Sequence, residues 1–137
     1  MGREKDLQVL LGSMDPELSE GEFVFCVMGR NLDQVIELGP RAIVRESEGI
    51  TAILDKETAR KNGIPIEAAF KRITLNVHSS LDAVGLTAAV STKLARAGIS
   101  ANVVAAYYHD HVFVQEASAS EAFALLRELA RESRGRA

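Results

Sequence analysis

The residues with most to offer chemically in this 137-residue chain fall in two short segments. One is His78-Ser79-Ser80-Leu81-Asp82-Ala83-Val84-Gly85-Leu86, and the other is His109-Asp110-His111. Together they hold all three histidines. The first segment leads into a helix, whose free backbone N–H groups and dipole favour an anion or carboxylate at its start. Gly85 would let a ligand approach the backbone closely. A carboxylate on the helix end and an amino group on the Asp or His side chains describe a small-molecule site. A second chemistry fits the same residues. His109-x-His111 puts two imidazoles on one strand face with His78 as a third, and zinc takes three or four such ligands. A metal-dependent enzyme or metal-binding protein using His78, His109 and His111 is therefore the alternative. The plain structural reading has Asp110 shaping a turn, Asp82 or Ser80 capping the helix, and the histidines as half-exposed polar residues.

Other nucleophile and phosphate chemistry finds little support. Cys26 lies in an apolar strand and reads as a small core residue rather than a thiolate. Ser79 and Ser80 adjoin His78, but adjacency in sequence makes no triad. Neither a G-x-S-x-G elbow nor a G-x-x-x-x-G-K-S/T loop occurs, and nothing calls for a cofactor. Arg72 and Asn76 share a strand face, which reads as a polar face or a subunit interface before it reads as a phosphatase pair.

The elements that would hold these residues can be read from spacing. Leu7, Leu10, Leu11 and Met14 form a helical stripe ended by Asp15-Pro16. Glu22–Val27 reads as a strand, and 31–39 as a helical turn or a packed loop. Arg41–Glu46 and Ile50–Leu54 make a hairpin in which Gly49 supplies a positive φ. Asp55 caps a short helix that ends before Gly63, and 63–69 is the candidate linker. Ile73, Leu75 and Val77 alternate with Arg72, Thr74 and Asn76, as in a strand with one buried face. Leu86, Ala89, Val90, Leu94 and Ala97 mark a helix stopped by Gly98. Ala101–Tyr107 and His111–Gln115 are strands, and Ser118-x-x-Glu121 is a capping box for a last helix. Its stripe is Ala122, Leu125, Leu126 and Leu129. From Arg131 the tail is expected to fray.

Two β-α-β-β-α halves result, 1–65 and 66–137, each one strand short of the α+β ferredoxin-like fold, with antiparallel sheets. The first half can borrow the strand at Phe70–Val77. The second has no strand after its last helix, so its edge must pair with the first half or with another copy, which predicts shared edge strands and a homodimer. In the ferredoxin-like order the end of the first strand lies beside the start of the third. That brings His78 to the level of His109 and His111.

Composition narrows the function. A 47% hydrophobic, 26% charged chain is built to fold. Sixteen basic against nineteen acidic side chains give −3, and there is no Trp, so neither charge nor aromatics suit a nucleic-acid partner. No apolar run reaches the roughly 18–20 residues that cross a bilayer, and the start resembles no secretory signal. A lone cysteine fits a reducing, cytoplasmic location.

From Ile73 to Val114 the chain resembles the ACT domain, a regulatory module that binds small molecules. Asp82-x-x-Gly85-Leu86 is similar to the D-x-x-G-L/I loop of that family, and Leu94-Ala95-x-x-Gly98-Ile99-Ser100 to its helix end and second-strand entry. The whole chain resembles a bacterial family of small, largely uncharacterised ACT-domain proteins. These carry a V-H-S-S-L-x-A-V-G-L-T-A loop and a Y-x-H-D-H-x-F-V hairpin, matched here from Val77 and from Tyr107. Arg45–Thr51 matches that family's first hairpin. The tandem arrangement is similar to the arginine-sensing CASTOR proteins and the aspartate kinase regulatory region, where amino acids bind at ACT–ACT interfaces. Carried over by position, this implicates Asp82, Ala83, Val84, Gly85 and Leu86, then Ser100 and Asn102. Val84 stands where Pro is frequent in ACT domains, and Ser100 where Asn is. The resemblance implies a non-catalytic sensor of a small ligand, an amino acid, acting as a homodimer or on a protein partner.

Overall fold

The computed structural model describes residues 6–77 and 84–136. It has two compact units, and they do not follow the chain in simple succession. Glu20–Lys71 forms one, the inserted unit; residues up to Ser19 join those from Arg72 onward to form the other, the split unit.

In the inserted unit, strand β2 (Phe23–Val27) leads through helix α2 (Leu32–Glu37) to a hairpin of β3 (Ala42–Glu46) and β4 (Gly49–Asp55), followed by helix α3 (Lys56–Lys61). Asn31 settles the ambiguity at 31–39: its side chain accepts from the Gln34 N–H at 3.3 Å and caps α2. Gly49 adopts φ +151°, and a Cβ there would lie 3.1 Å from the Gly29 carbonyl oxygen, so the glycine is needed. Asp55 precedes α3 but makes no side-chain cap. Its carboxylate is taken by Arg41 in a two-pronged bond, Nε to Oδ1 at 2.9 Å and Nη2 to Oδ2 at 3.1 Å. Val24, Cys26, Val35, Ile50, Ala52, Leu54 and Ala59 make the core. β4 pairs with both β2 and β3, antiparallel. The borrowed strand is present: Phe23 pairs with Phe70, the first residue of β5 (Phe70–Leu75).

The split unit begins with helix α1 (Leu7–Gly12), whose N-cap Asp6 accepts from the Val9 N–H at 3.2 Å. A three-residue strand comes next, β1 (Pro16–Leu18), which spacing in the sequence does not reveal. It pairs antiparallel with β5 in the register Pro16↔Leu75, Glu17↔Thr74, Leu18↔Ile73. The open edge of the second half is thus paired by a segment of the first half, one of the two expected outcomes. With helix α4 (Leu86–Arg96), strands β6 (Asn102–Ala105) and β7 (Asp110–Gln115), and helix α5 (Ala119–Arg136), the strand order is β1-β5-β7-β6. That is the ferredoxin-like arrangement, with β1 in the place of the fourth strand.

α4 turns its buried residues Leu86, Val90 and Leu94 to the core at intervals of four. It ends in a two-bond C-cap: Ile99 N–H donates to Leu94 O at 3.0 Å and Gly98 N–H to Ala95 O at 2.9 Å, with Gly98 at φ +75°. α5 departs from expectation at both ends. A 3-10 turn, Glu116–Ser118, runs straight into it, so Ser118 stands within the turn instead of heading a capping box. The tail does not fray at Arg131. Ser133 is buried with its hydroxyl on Leu129 O at 2.8 Å, and Arg134 donates to Gly12 O at 2.8 Å. Leu10 and Met14 of the α1 segment, Ile73 and Leu75, Val112 and Val114, and Leu126 fill the core, each essentially inaccessible. Burying each such side chain contributes about 1.5–3 kcal/mol before conformational entropy is set against it.

Candidate functional site

The sequence places the chemistry where β5 ends, α4 begins and β7 begins. Six of the residues concerned, 78–83, lie outside the described residues, and with them His78, Ser79, Ser80, Asp82 and Ala83. Gly85 adopts φ +103° as the residue before α4, and its carbonyl accepts the first helical bond from Ala89 N–H at 2.8 Å. A Cβ on Gly85 would lie 3.0 Å from Leu7 Cδ2. The positive φ favours glycine at this position, and Leu7 of α1 packs against it. Leu86 is 4% exposed and belongs to the core, whereas Val84 is 83% exposed.

At the start of β7, a turn closed by Ala106 N–H to His109 O at 3.2 Å sets out the three polar residues. Asp110 is 8% exposed, and burial raises its pKa against a lesser lowering by His109. His111 lies 3.0 Å through Nδ1 from the Thr74 hydroxyl on β5. Its pKa is lowered, first by burial and then by the positive charges of Arg72 and His109. The buried Nδ1 of His109 has no hydrogen-bond partner among the described residues. These groups suit reversible polar recognition at neutral pH: a neutral imidazole with one nitrogen held, beside a carboxyl whose charge is poorly solvated. Among the described residues no group of three His, Cys, Asp or Glu could hold a metal ion. His78, the third member of that alternative, lies outside them.

Thr74 belongs to this cluster, and sequence spacing does not point to it. It alternates with Ile73 and Leu75, and so reads as facing water; in fact Ile73, Thr74 and Leu75 are all buried. Ser100 and Asn102 are not brought to the same end. Asn102 pairs with Phe113 and Ala105 with Asp110, so Asn102 stands three positions along β7, roughly 10 Å away. Both residues are exposed, and Asn102 Nδ2 donates to Phe113 O at 3.4 Å. Arg72 and Asn76 serve the added edge strand. Arg72 Nε donates to Ser19 Oγ at 3.1 Å, and Asn76 Nδ2 to Asp15 O at 3.1 Å. Cys26 is a buried core thiol whose pKa burial raises. No described helix is long and apolar enough to cross a membrane.

Comparison with known proteins agrees with this geometry. One ACT-domain family model matches residues 3–71 and a second matches residues 70–128. A solved protein of unknown function from Vibrio cholerae, described as a possible transport protein, is 52% identical, with a TM-score of 0.83 over 92% of this chain and 97% of that one. The ligand-free regulatory subunit of aspartate kinase from Thermus thermophilus shares the fold at 11% identity, TM-score 0.65, over 85% of this chain and 97% of its own. E. coli aspartokinase III, solved with aspartate and ADP, does so at 12% identity, TM-score 0.62, over 83% of this chain and 32% of its own. No curated protein matches by sequence. With two ACT-domain models covering residues 3–128 and a ferredoxin-like strand order in the split unit, the chain belongs to the ACT-domain family.

Proposed function

We propose that this protein is a non-catalytic, cytoplasmic ACT-type sensor whose ligand is a small molecule of the amino-acid class. The observation that carries this reading is the pair of ACT-domain matches placed end to end along the chain. The ligand is held by the loop His78–Leu86 at the head of α4, with Asp110 and His111 as polar partners for an ammonium or hydroxyl group. The burial of Asp110 and the half-buried position of His111 support this, because a desolvated carboxyl gains more from an ammonium partner than an exposed one does. Binding that favours one arrangement of the protein over another shifts its population, and a second copy or a protein partner reads the shift. Strands β3 and β6 stand at the two ends of the strand order among the described residues, and a homodimer would pair through one of them.

Thermal unfolding in the presence of each of the twenty amino acids tests the proposal. A ligand at one hundred times its dissociation constant adds about 2.7 kcal/mol to stability, a readily measured rise in midpoint. Asp110→Asn should remove that rise. If no amino acid shifts the midpoint at millimolar concentration, the ligand class is wrong. Sedimentation at micromolar protein checks the dimer, and a monomer would sink it.

A further inference from the structure

We propose that the hollow between the α1–β1 connection and the C-terminal half of α5 is a binding site for the phosphate group of a small phosphate monoester. The hollow has a volume of about 320 Å³, near the lower bound of small-ligand pockets. One wall is Gly12, Ser13, Asp15 and Pro16. The other is α5, which presents Arg127, Arg131 and Arg134. Their spacing, i, i+4 and i+7, places three guanidinium groups on one helix face over about 10 Å of rise.

Charge is sorted between the faces of this helix. Glu128 and Glu132 both turn to Lys93 of α4, at 3.6 and 3.0 Å, so the acids that alternate with the arginines are engaged on another face. Against the three arginines the hollow sets one carboxylate, Asp15. The balance of two positive charges matches a phosphate dianion, and guanidinium forks match its oxygens in pairs. Two of the three arginines are already oriented. Arg134 Nη1 donates to Gly12 O at 2.8 Å, and the Arg127 guanidinium lies 5.6 Å from the Phe123 ring centroid. Arg131 is exposed and has no partner among the described residues. A site with two arms fixed and one uncommitted loses little side-chain freedom on closing round an anion. The hollow exceeds what a bare phosphate fills, which leaves room for the few-atom polar remainder of a monoester.

This site is separate from the loop at the head of α4, and its test is too. Inorganic phosphate and glycerol 3-phosphate are titrated calorimetrically into the full-length protein at low salt, with sodium chloride at matched ionic strength as the control. Saturable binding of one ligand per chain is expected, tighter for the ester. Amide NMR shifts should concentrate at 12–16 and 127–134. Arg131→Ala should weaken binding by about tenfold or more and leave the unfolding midpoint of the ligand-free protein unchanged. Arg96→Ala, on the exposed part of α4, should change neither. The proposal is overturned if phosphate does no more than chloride, if Arg131→Ala binds as tightly as the parent, or if the shifts map elsewhere.

Discussion

The two units complete the same fold from opposite directions along the chain. The inserted unit fills its fourth-strand position from its C-terminal side, with the first residue of β5. The split unit fills it from the N-terminal side, with the short strand β1, which lies more than fifty residues before its partner. Their interiors differ as well. Among the described residues the split unit's core holds sixteen buried side chains around helices of six, eleven and eighteen residues, and the inserted unit's holds seven around two helices of six. Helices of six residues have almost no stability of their own and depend on their packing. Local opening is therefore expected to begin in the inserted unit.

The comparison can be broken most directly at Leu10. Leu10→Ala empties a fully buried site on α1 and should cost about 2–5 kcal/mol in urea unfolding. Amide exchange should accelerate across β5 and β7. Acceleration confined to the inserted unit would show that α1 does not belong where the fold places it. Gly49→Ala probes the other unit. With φ at +151° and the Gly29 oxygen 3.1 Å from the new Cβ, it should cost about 1–3 kcal/mol and loosen β3 and β4 first. Asn76→Ala removes the hydrogen bond to Asp15 O, and about 0.5–1.5 kcal/mol is expected, with faster exchange at 16–18. An unchanged exchange rate there would mean that β1 is held by pairing alone.

The smallest expected effect is a dependence on pH in the split unit. Burial lowers the His111 pKa from 6.5, so folding favours the neutral ring. The stability this contributes is complete above pH 6.5 and is lost as pH falls through the lowered folded value. Asp110 behaves oppositely. Burial raises its pKa from 3.8, so its contribution is complete below pH 3.8 and lost as pH rises through the folded value. Unfolding measured from pH 7 down to pH 5 should weaken the parent more than His111→Gln. Asp110→Asn should be the more stable protein at pH 7. Equal pH profiles for parent and His111→Gln would dispose of the first expectation.

Much of this architecture is legible because it is local. Gly49 and Gly98 occupy positions that need positive φ, and the structure uses both in that way. The α4 stripe Leu86, Val90 and Leu94 is a simple helical period. β1 left no such mark. Three residues beginning with proline are too short a run for their alternation to mark a strand, and their pairing partners lie far along the chain. The capping-box pattern at Ser118 was overridden by a 3-10 turn, and Asp55 was drawn from its cap by Arg41 across the strand pair. The expected fraying after Arg131 failed for a similar reason. Ser133 is buried, and Arg134 reaches back to Gly12, a residue at the other end of the sequence.

Within the candidate site, the adjacency of β5 to the start of β7 could be read from topology alone, and the Thr74–His111 contact confirms it. The packing of Leu7 against Gly85 could not, since Leu7 arrives from a distant part of the chain. By itself, then, the sequence determined the two β-α-β-β-α halves, the helix and turn boundaries set by glycines, and the placing of His111 of β7 beside β5. Tertiary structure alone decided which segment closes the second sheet, where the N-terminal helix packs, and which arginines of α5 share a hollow. Periodicity and turn chemistry act over a few residues, whereas edge pairing and helix docking join segments whose proximity no local pattern encodes.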